Sequence, residues 1–322
     1  MFDAFFYEVF EEEQQFLKKF LPRRLKAGFT EHTIQESRQR RPPARLISIR
    51  TQSLIPAAWT KDLDGVFSRS AGFDHLRRTR RETGGRIPCG YLPEYCARAV
   101  AEQAVGTLLV LMRKLKTQMR HFENFKREGM TGSECRNKNC LVVGVGKIGA
   151  EIVDIARGLR MNVKGVDVVR RLKNLDYVSV NQGMAWAEVV FCALPLTDQT
   201  RGMLNARIFR KSAKGVYFIN VGRAEVSPAK DLSRLLNSGV LKGLALDVFP
   251  QEGDLAAYLR GDRGARLGSD ARAILKLKGR TDVIFTPHNA FNTAEASERK
   301  ARLTVEAIEY FLKHKKFPCM VT

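Results

Sequence analysis

The stretch LVVGVGKIGAEIVDIARGLRMNVKGVDV (141–168) decides the fold. An apolar run leads into Gly144-x-Gly146-x-x-Gly149, an amphipathic helical pattern follows, and a second apolar run ends at Asp167. Strand, glycine turn, helix and strand form one βαβ unit whose turn suits a dinucleotide. Gly144 permits the tight turn, and Gly146 lets the backbone approach a pyrophosphate. Gly149 lets the helix pack close to the strand, while the helix N-terminus faces the phosphates. Asp167 lies 18 positions beyond Gly149 (167 − 149), where a carboxylate accepts hydrogen bonds from a ribose diol. The same carboxylate would repel a 2′-phosphate. That favours NAD over NADP, a preference that the nearby Arg170 and Arg171 soften.

Outward from this unit, strand-like and helix-like segments alternate almost from end to end, as in α/β proteins with parallel sheets. In the first part, 3–9, 45–51, 65–70 and 86–89 read as short strands, and EEEQQFLKKFL (11–21) as a helix. In the second, 140–145, 163–168, 189–194, 216–221, 244–248 and 283–287 are nearly all apolar, as strands buried on both faces are. The apolar-periodic stretch 97–122, interrupted only by Gly106, reads as one long helix leaving the first part. An amphipathic helix at 293–316 is expected to return to the first part. The domains expected are therefore 1–97 with 292–322, and 98–291. The charged, glycine-rich segment 251–283 reads as either a flap or an oligomer contact.

A chain of 322 residues is long enough for two cores. No apolar run approaches the ~18 residues that span a bilayer. The N-terminus, MFDAFFYEVFEEEQQ, lacks the basic region of a signal peptide, so a cytoplasmic enzyme is expected. The six cysteines form no CxxC pair, and Cys135 and Cys140 have no second pair to complete a zinc site. No metal is expected. The net charge of +21 concentrates at 38–45, 76–86 and 113–120. No helix-turn-helix, zinc-finger or RNP-like motif accompanies these clusters, so they read as solvated faces that attract anions rather than as a nucleic-acid site.

Three further segments, FINVGRAEV (218–226), LALDVFPQE (244–252) and TPHNAFNT (286–293), carry Arg223, Glu252 and His288. With FSRSAGFDHL (67–76), AVAEQAV (99–105) and CALPLTDQTRGMLN (192–205), they resemble in order and spacing the D-isomer-specific 2-hydroxyacid dehydrogenase family, over essentially the whole chain. The resemblance implies two doubly wound α/β domains, a Rossmann-type NAD domain and a flavodoxin-like substrate domain, with the active site in the cleft between them. It also implies a homodimer joined through the long interdomain helix.

Catalysis by such an enzyme needs a cation for the substrate carboxylate, a proton donor for the carbonyl oxygen and a hydride from a nicotinamide. Arg223 offers a planar fork for the carboxylate, His288 is suited to exchange a proton near neutral pH, and Glu252 is its partner. By resemblance, the Ala71 and Gly72 amides hold the substrate carboxylate, and Tyr95 and Phe291 line a pocket like that of D-lactate dehydrogenase-like members. Lys147 and Ile148 fall at the phosphates, Pro195 and Thr200 along the dinucleotide, Val221 and Gly222 under the nicotinamide, and Asp247 at its carboxamide. Asp247 also suits a structural role, capping the loop after its strand. The sequence departs from the family at Gly253, where proline is usual, and this makes Asp254 a rival to Glu252. His32, His75, His121 and His314 read as surface or structural. The substrate expected is a small 2-oxo or 2-hydroxy acid; the alternative is an NAD-sensing, corepressor-like protein without turnover.

Overall fold

The computed structural model describes residues 2–213, 215–262 and 264–321, with Arg78 described by its backbone alone. The chain divides into two compact units, Met1–Cys96 with Asn292–Thr322, and Ala97–Phe291.

The first unit is built on β1 (Ala4–Phe6), β2 (Ala27–Phe29), β3 (Leu46–Ile49), β4 (Gly65–Ser68) and β5 (Cys89–Tyr91). All pair in parallel, in the order β2-β1-β3-β4-β5. This is the flavodoxin-like winding, which reverses between β1 and β3. Every residue of β3 and β4 is buried, which explains their unbroken apolar patterns. A Cβ at Gly65 would stand 2.4 Å from the Phe311 ring, so glycine lets the helix Ala294–His314 lie close against β4. That helix also meets the helix Glu11–Phe20 through an exposed ion pair, Lys19–Glu298, at 2.7 Å. β2 escapes the sequence reading because AGF is too short to show a period. Packing defines it: a Cβ at Gly28 would lie 2.5 Å from the Phe5 ring.

The second unit contains β6 (Asn139–Val143), β7 (Asn162–Val166), β8 (Asp176–Tyr177), β9 (Val189–Cys192), β10 (Val216–Asn220), β11 (Leu241–Leu246) and β12 (Val283–Phe285). They form one parallel sheet in the order β12-β11-β10-β9-β6-β7-β8. Counted from β6, this is the Rossmann order 3-2-1-4-5-6 with one strand added. The winding reverses between β6 and β9, and ligands of such sheets bind outside the strand ends at that point. The glycine turn leaves β6 there.

One expectation is corrected. The stretch 97–122 is not one helix but two, Ala97–Met112 and Leu115–Phe122, separated at Lys114, which has φ 52°. The cause is remote in sequence. The Ser133 amide donates to the Met112 carbonyl at 2.9 Å, and a Cβ at Gly132 would stand 2.5 Å from that oxygen. The returning chain thus takes up the helix's last carbonyl, and nothing local to 113–114 announces it. Within 251–283 the chain is partly helical. It forms the helices Glu252–Leu259 and Ser269–Leu277, and the second buries Ala271, Ile274 and Leu277.

Among the described residues, no helix is long and apolar enough to cross a membrane. Among the same described residues, no group of three or more His, Cys, Asp or Glu is placed to hold a metal ion. The six cysteines are unpaired, and burial pushes the Cys89 and Cys96 thiols up to about 11.

Candidate active site

The glycine turn has the dimensions a dinucleotide needs. Gly144 has φ 93°, and a Cβ there would sit 2.9 Å from the Ala193 backbone. At Gly149 a Cβ would fall 1.9 Å from the Gly144 carbonyl oxygen, so only glycine lets the helix Lys147–Gly158 start this close to the turn. Nothing lies within 4 Å of where a Cβ would stand at Gly146. The turn is therefore open where the amides of Lys147 and Ile148 begin the helix, and first-turn amides have no partner within their own helix. These residues fit a pyrophosphate.

Asp167 follows β7 and is half-buried. Its carboxylate accepts the Val145 amide at 2.7 Å and the Val169 amide at 2.9 Å, one on each oxygen. Each carboxylate oxygen has a second lone pair, so the group is held in place and can still accept from a diol. Asp167→Ala is expected to shift the ratio of kcat/KM for NADH over NADPH by at least about 10-fold toward NADPH, the scale of a lost charged hydrogen bond. Steady-state rates with both cofactors check it, and an unchanged ratio would remove Asp167 from cofactor choice.

The loops after β9 and β10 press against this turn. A Cβ at Gly222 would lie 2.6 Å from the Leu194 carbonyl oxygen, so Gly144 and Gly222 together leave room for residues 193–194. Thr200 closes the loop after β9, its hydroxyl donating to the Pro195 carbonyl at 2.7 Å and accepting the Thr197 amide at 2.8 Å. After β10, Val221 is buried and Arg223 is half-buried, with Nη1 donating to the Gly222 carbonyl at 2.9 Å.

The shape of that loop comes from a residue the motifs do not reveal. Asn220 is fully buried; its amide nitrogen donates to the Arg223 carbonyl at 3.0 Å and to Ser227 Oγ at 2.9 Å, and its oxygen accepts the Gly222 amide at 2.9 Å. The available signal was a lone polar residue ending the apolar strand VYFIN.

Asp247, just past β11, is 5% exposed and organises the next loop. One oxygen accepts the Thr286 hydroxyl at 2.6 Å and the Asn289 amide at 2.9 Å, and the other accepts the Ala290 amide at 3.0 Å. Burial raises its carboxyl above the usual range, against the pull of these donors. The collected amides hold a turn in which His288 has φ 50°, a left-handed conformation that costs a histidine of order 1 kcal/mol and needs outside support. Asp247 is thus structural, but the loop it holds is the one after β12 rather than the one after its own strand.

His288 Nδ1 lies 2.8 Å from both Glu252 oxygens, and both side chains are half-buried. An ionised carboxylate only accepts. With Glu252 ionised, Nδ1 carries the hydrogen and Nε2 is the ring nitrogen outside the pair. Glu252 opens its helix directly after Gln251, which has φ 50° and whose side chain accepts the Gly268 amide at 2.7 Å. Asp254 is exposed; Glu252, not Asp254, partners the histidine despite Gly253.

Four expected positions remain. Ala71 and Gly72 lie in the loop after β4, and the Gly72 carbonyl accepts Ser70 Oγ at 2.8 Å. Tyr95 is buried in the first unit, where burial holds its phenol well above the usual range. Phe291 is half-buried at the end of the second unit.

Residues 105–290 match the family model described as "D-isomer specific 2-hydroxyacid dehydrogenase, NAD binding domain". The chain belongs to the D-isomer-specific 2-hydroxyacid dehydrogenase family. It is similar to the D-specific alpha-keto acid dehydrogenase of Enterococcus faecalis, 30% identical over 243 residues, 75% of this chain and 72% of that protein. The D-lactate dehydrogenase of Lactiplantibacillus plantarum is 28% identical over 251 residues, 76% of this chain and 74% of that one. Among solved structures, the D-lactate dehydrogenase from Aquifex aeolicus complexed with NAD and lactic acid superposes with a TM-score of 0.82. It is 26% identical, with 97% of this chain and 96% of that chain covered. The chain is thus an NAD-dependent D-2-hydroxyacid dehydrogenase, and the glycine turn is the part of it that fits NAD.

Proposed function

We propose that this dehydrogenase interconverts a small 2-oxo acid and its D-2-hydroxy acid, in the manner of D-lactate dehydrogenases, with Arg223, Glu252 and His288 carrying the reaction. The observation that carries this reading is the 2.8 Å Glu252–His288 pair, set in the same unit as a turn that fits NAD. Similarity to proteins named D-lactate dehydrogenase and D-specific alpha-keto acid dehydrogenase supports the substrate class.

In the reduction, the Arg223 guanidinium binds the substrate carboxylate and polarises the adjacent carbonyl. His288 Nε2 gives its proton to the carbonyl oxygen and regains one in the reverse direction. Glu252, at Nδ1, fixes the ring and stabilises its charged form. Asp247 and Asn220 act through the loops they hold. When bound, the nicotinamide supplies or accepts the hydride. We assign the carboxylate amides to Ala71 and Gly72 and the pocket wall to Tyr95 and Phe291. Lys147, Ile148, Pro195, Thr200, Val221 and Gly222 are assigned to the cofactor.

The test is NADH oxidation across a panel of 2-oxo acids, with NADPH alongside. Turnover of pyruvate or a close analogue is expected. NADH binding without turnover of any member would overturn the small 2-oxo acid as the substrate.

The proposed homodimer has a candidate face in Met119, Phe122 and Phe125, which are 73%, 76% and 68% exposed. Apolar side chains that are this exposed and adjacent mark an interface. Sedimentation is expected to give a dimer, and Phe122→Glu to shift it toward monomer; a monomeric wild-type chain would sink the assignment.

A further inference from the structure

We propose that His75 is a positioning residue for the substrate-carboxylate loop, acting through a chain of hydroxyls formed by Ser68 and Ser70. The proposal rests on the assignment of that carboxylate to the Ala71 and Gly72 amides. His75 Nε2 lies 2.9 Å from Ser68 Oγ, Ser68 Oγ lies 2.6 Å from Ser70 Oγ, and Ser70 Oγ donates to the Gly72 carbonyl at 2.8 Å. Each serine has one hydrogen to give. Ser70 spends its hydrogen on the Gly72 oxygen, so the Ser68–Ser70 contact must be donated by Ser68. Ser68 then has only lone pairs left for His75, and Nε2 must be the donor. The whole relay runs one way, from His75 through Ser68 and Ser70 to the Gly72 carbonyl, and it requires a hydrogen on Nε2.

The relay acts where the backbone is otherwise fixed. The strand continues past β4, with the Arg69 amide donating to the Ile49 carbonyl at 2.8 Å and the Leu92 amide to the Ser70 carbonyl at 3.2 Å. Side chains of an extended strand alternate between faces, so Ser68 and Ser70 share one face and Arg69 points to the other. Arg69 is fully buried and donates to Glu13 at 2.9 Å, to Ser48 Oγ at 3.1 Å and to the Tyr7 carbonyl at 2.7 Å. One face is thus locked by an ion pair and the other by the relay.

The relay reaches two residues further than the strand bonds. It ties down the Gly72 carbonyl and sets the peptide plane that follows the two proposed carboxylate donors. His75 is anchored in turn on the helix Asp74–Glu82. Ser68 is fully buried and Ser70 nearly so, so water competes weakly for these bonds, and buried networks of this kind fix one geometry.

The test uses His75→Ala, Ser68→Ala, Ser70→Ala and His75→Gln in the full chain. Gln presents an N–H donor near the position of Nε2. With the best 2-oxo acid of the panel, each alanine variant is expected to raise KM about 10-fold, one hydrogen bond's worth of orientation. The expected kcat stays within about twofold, NADH affinity is unchanged, and His75→Gln regains most of the KM. An unchanged KM in the alanine variants overturns the proposal. So does a parallel loss of kcat, KM and NADH affinity that Gln does not rescue, which marks general loosening of the fold. Nitrogen-15 NMR of histidine-labelled protein reads the relay without activity: His75 is expected with hydrogen on Nε2. A neutral ring carrying its hydrogen on Nδ1 would break the relay whatever the kinetics. A correct Nε2 signal with unchanged KM would instead remove the carboxylate from this loop.

Discussion

His288→Ala is expected to lower kcat with any accepted 2-oxo acid by about 100-fold or more, the usual scale for losing a positioned acid. NADH affinity should hold, because the glycine turn and Asp167 are separate from the 286–290 loop. The alanine variant alone is ambiguous, since residue 288 has φ 50° and a change there also disturbs the backbone. Asn tolerates this conformation better than most residues. His288→Asn should therefore keep the turn held by Asp247 and lose the rate just as fully. Stopped-flow rates of NADH oxidation, with NADH binding measured on the same samples, separate the two effects. If His288→Asn retained wild-type turnover, proton transfer at this position would be wrong. If it lost NADH affinity together with rate, the loop rather than the imidazole would be responsible.

The sequence exposes what is repeated by physics and hides what depends on distant partners. The Rossmann unit was legible because β6, the glycine turn, the helix Lys147–Gly158 and β7 are consecutive, and each glycine answers a local steric demand. Gly149, with 1.9 Å between its missing Cβ and the Gly144 carbonyl, is the plainest case. β2 and β8 were not legible, since three and two residues cannot display a period. The helix break at Lys114 was hidden for a different reason: it is caused by Gly132 and Ser133, some 20 residues on. The site shows the same division. Arg223, Glu252 and His288 stand in motifs, whereas Asn220 and Asp247 shape their loops through hydrogen bonds that no spacing rule encodes. His75 read as surface or structural for want of sequence context, and the partners that give it a place, Ser68 and Ser70, are recognisable only once β4 is extended.

The second large effect concerns the buried ions behind the same loop. Glu13 is 4% exposed, and its Oε1 accepts both Arg69 Nε at 2.9 Å and Lys300 Nζ at 3.0 Å. Burial alone would raise the Glu13 carboxyl, but Arg69, Lys300 and Arg50 outweigh it and hold the group at about 2. Burial pushes Lys300 down to about 8, with Glu13 pulling against it.

Glu13→Gln removes the only negative charge of this triad and leaves two buried cations facing each other. It is expected to cost about 3–5 kcal/mol, the penalty of breaking a buried pair. Lys300→Met leaves the neutral Arg69–Glu13 pair and fills most of the volume. It should lie within about 1 kcal/mol of wild type, because no uncompensated buried charge is left behind and burial already works against the Lys300 ammonium.

The pH dependence separates the two groups. The folded Glu13 carboxyl lies below its ordinary 4.5, so its contribution is present above that value and fades as pH falls toward about 2. The folded Lys300 ammonium lies below its ordinary 10.5, so between about 8 and 10.5 the unfolded chain binds more protons and stability rises with pH. Lys300→Met should lose that alkaline rise. Urea unfolding of both variants at neutral and alkaline pH decides the matter. A Glu13→Gln chain as stable as wild type, or a Lys300→Met chain as damaged as Glu13→Gln, would show that this cluster does not brace the end of β4.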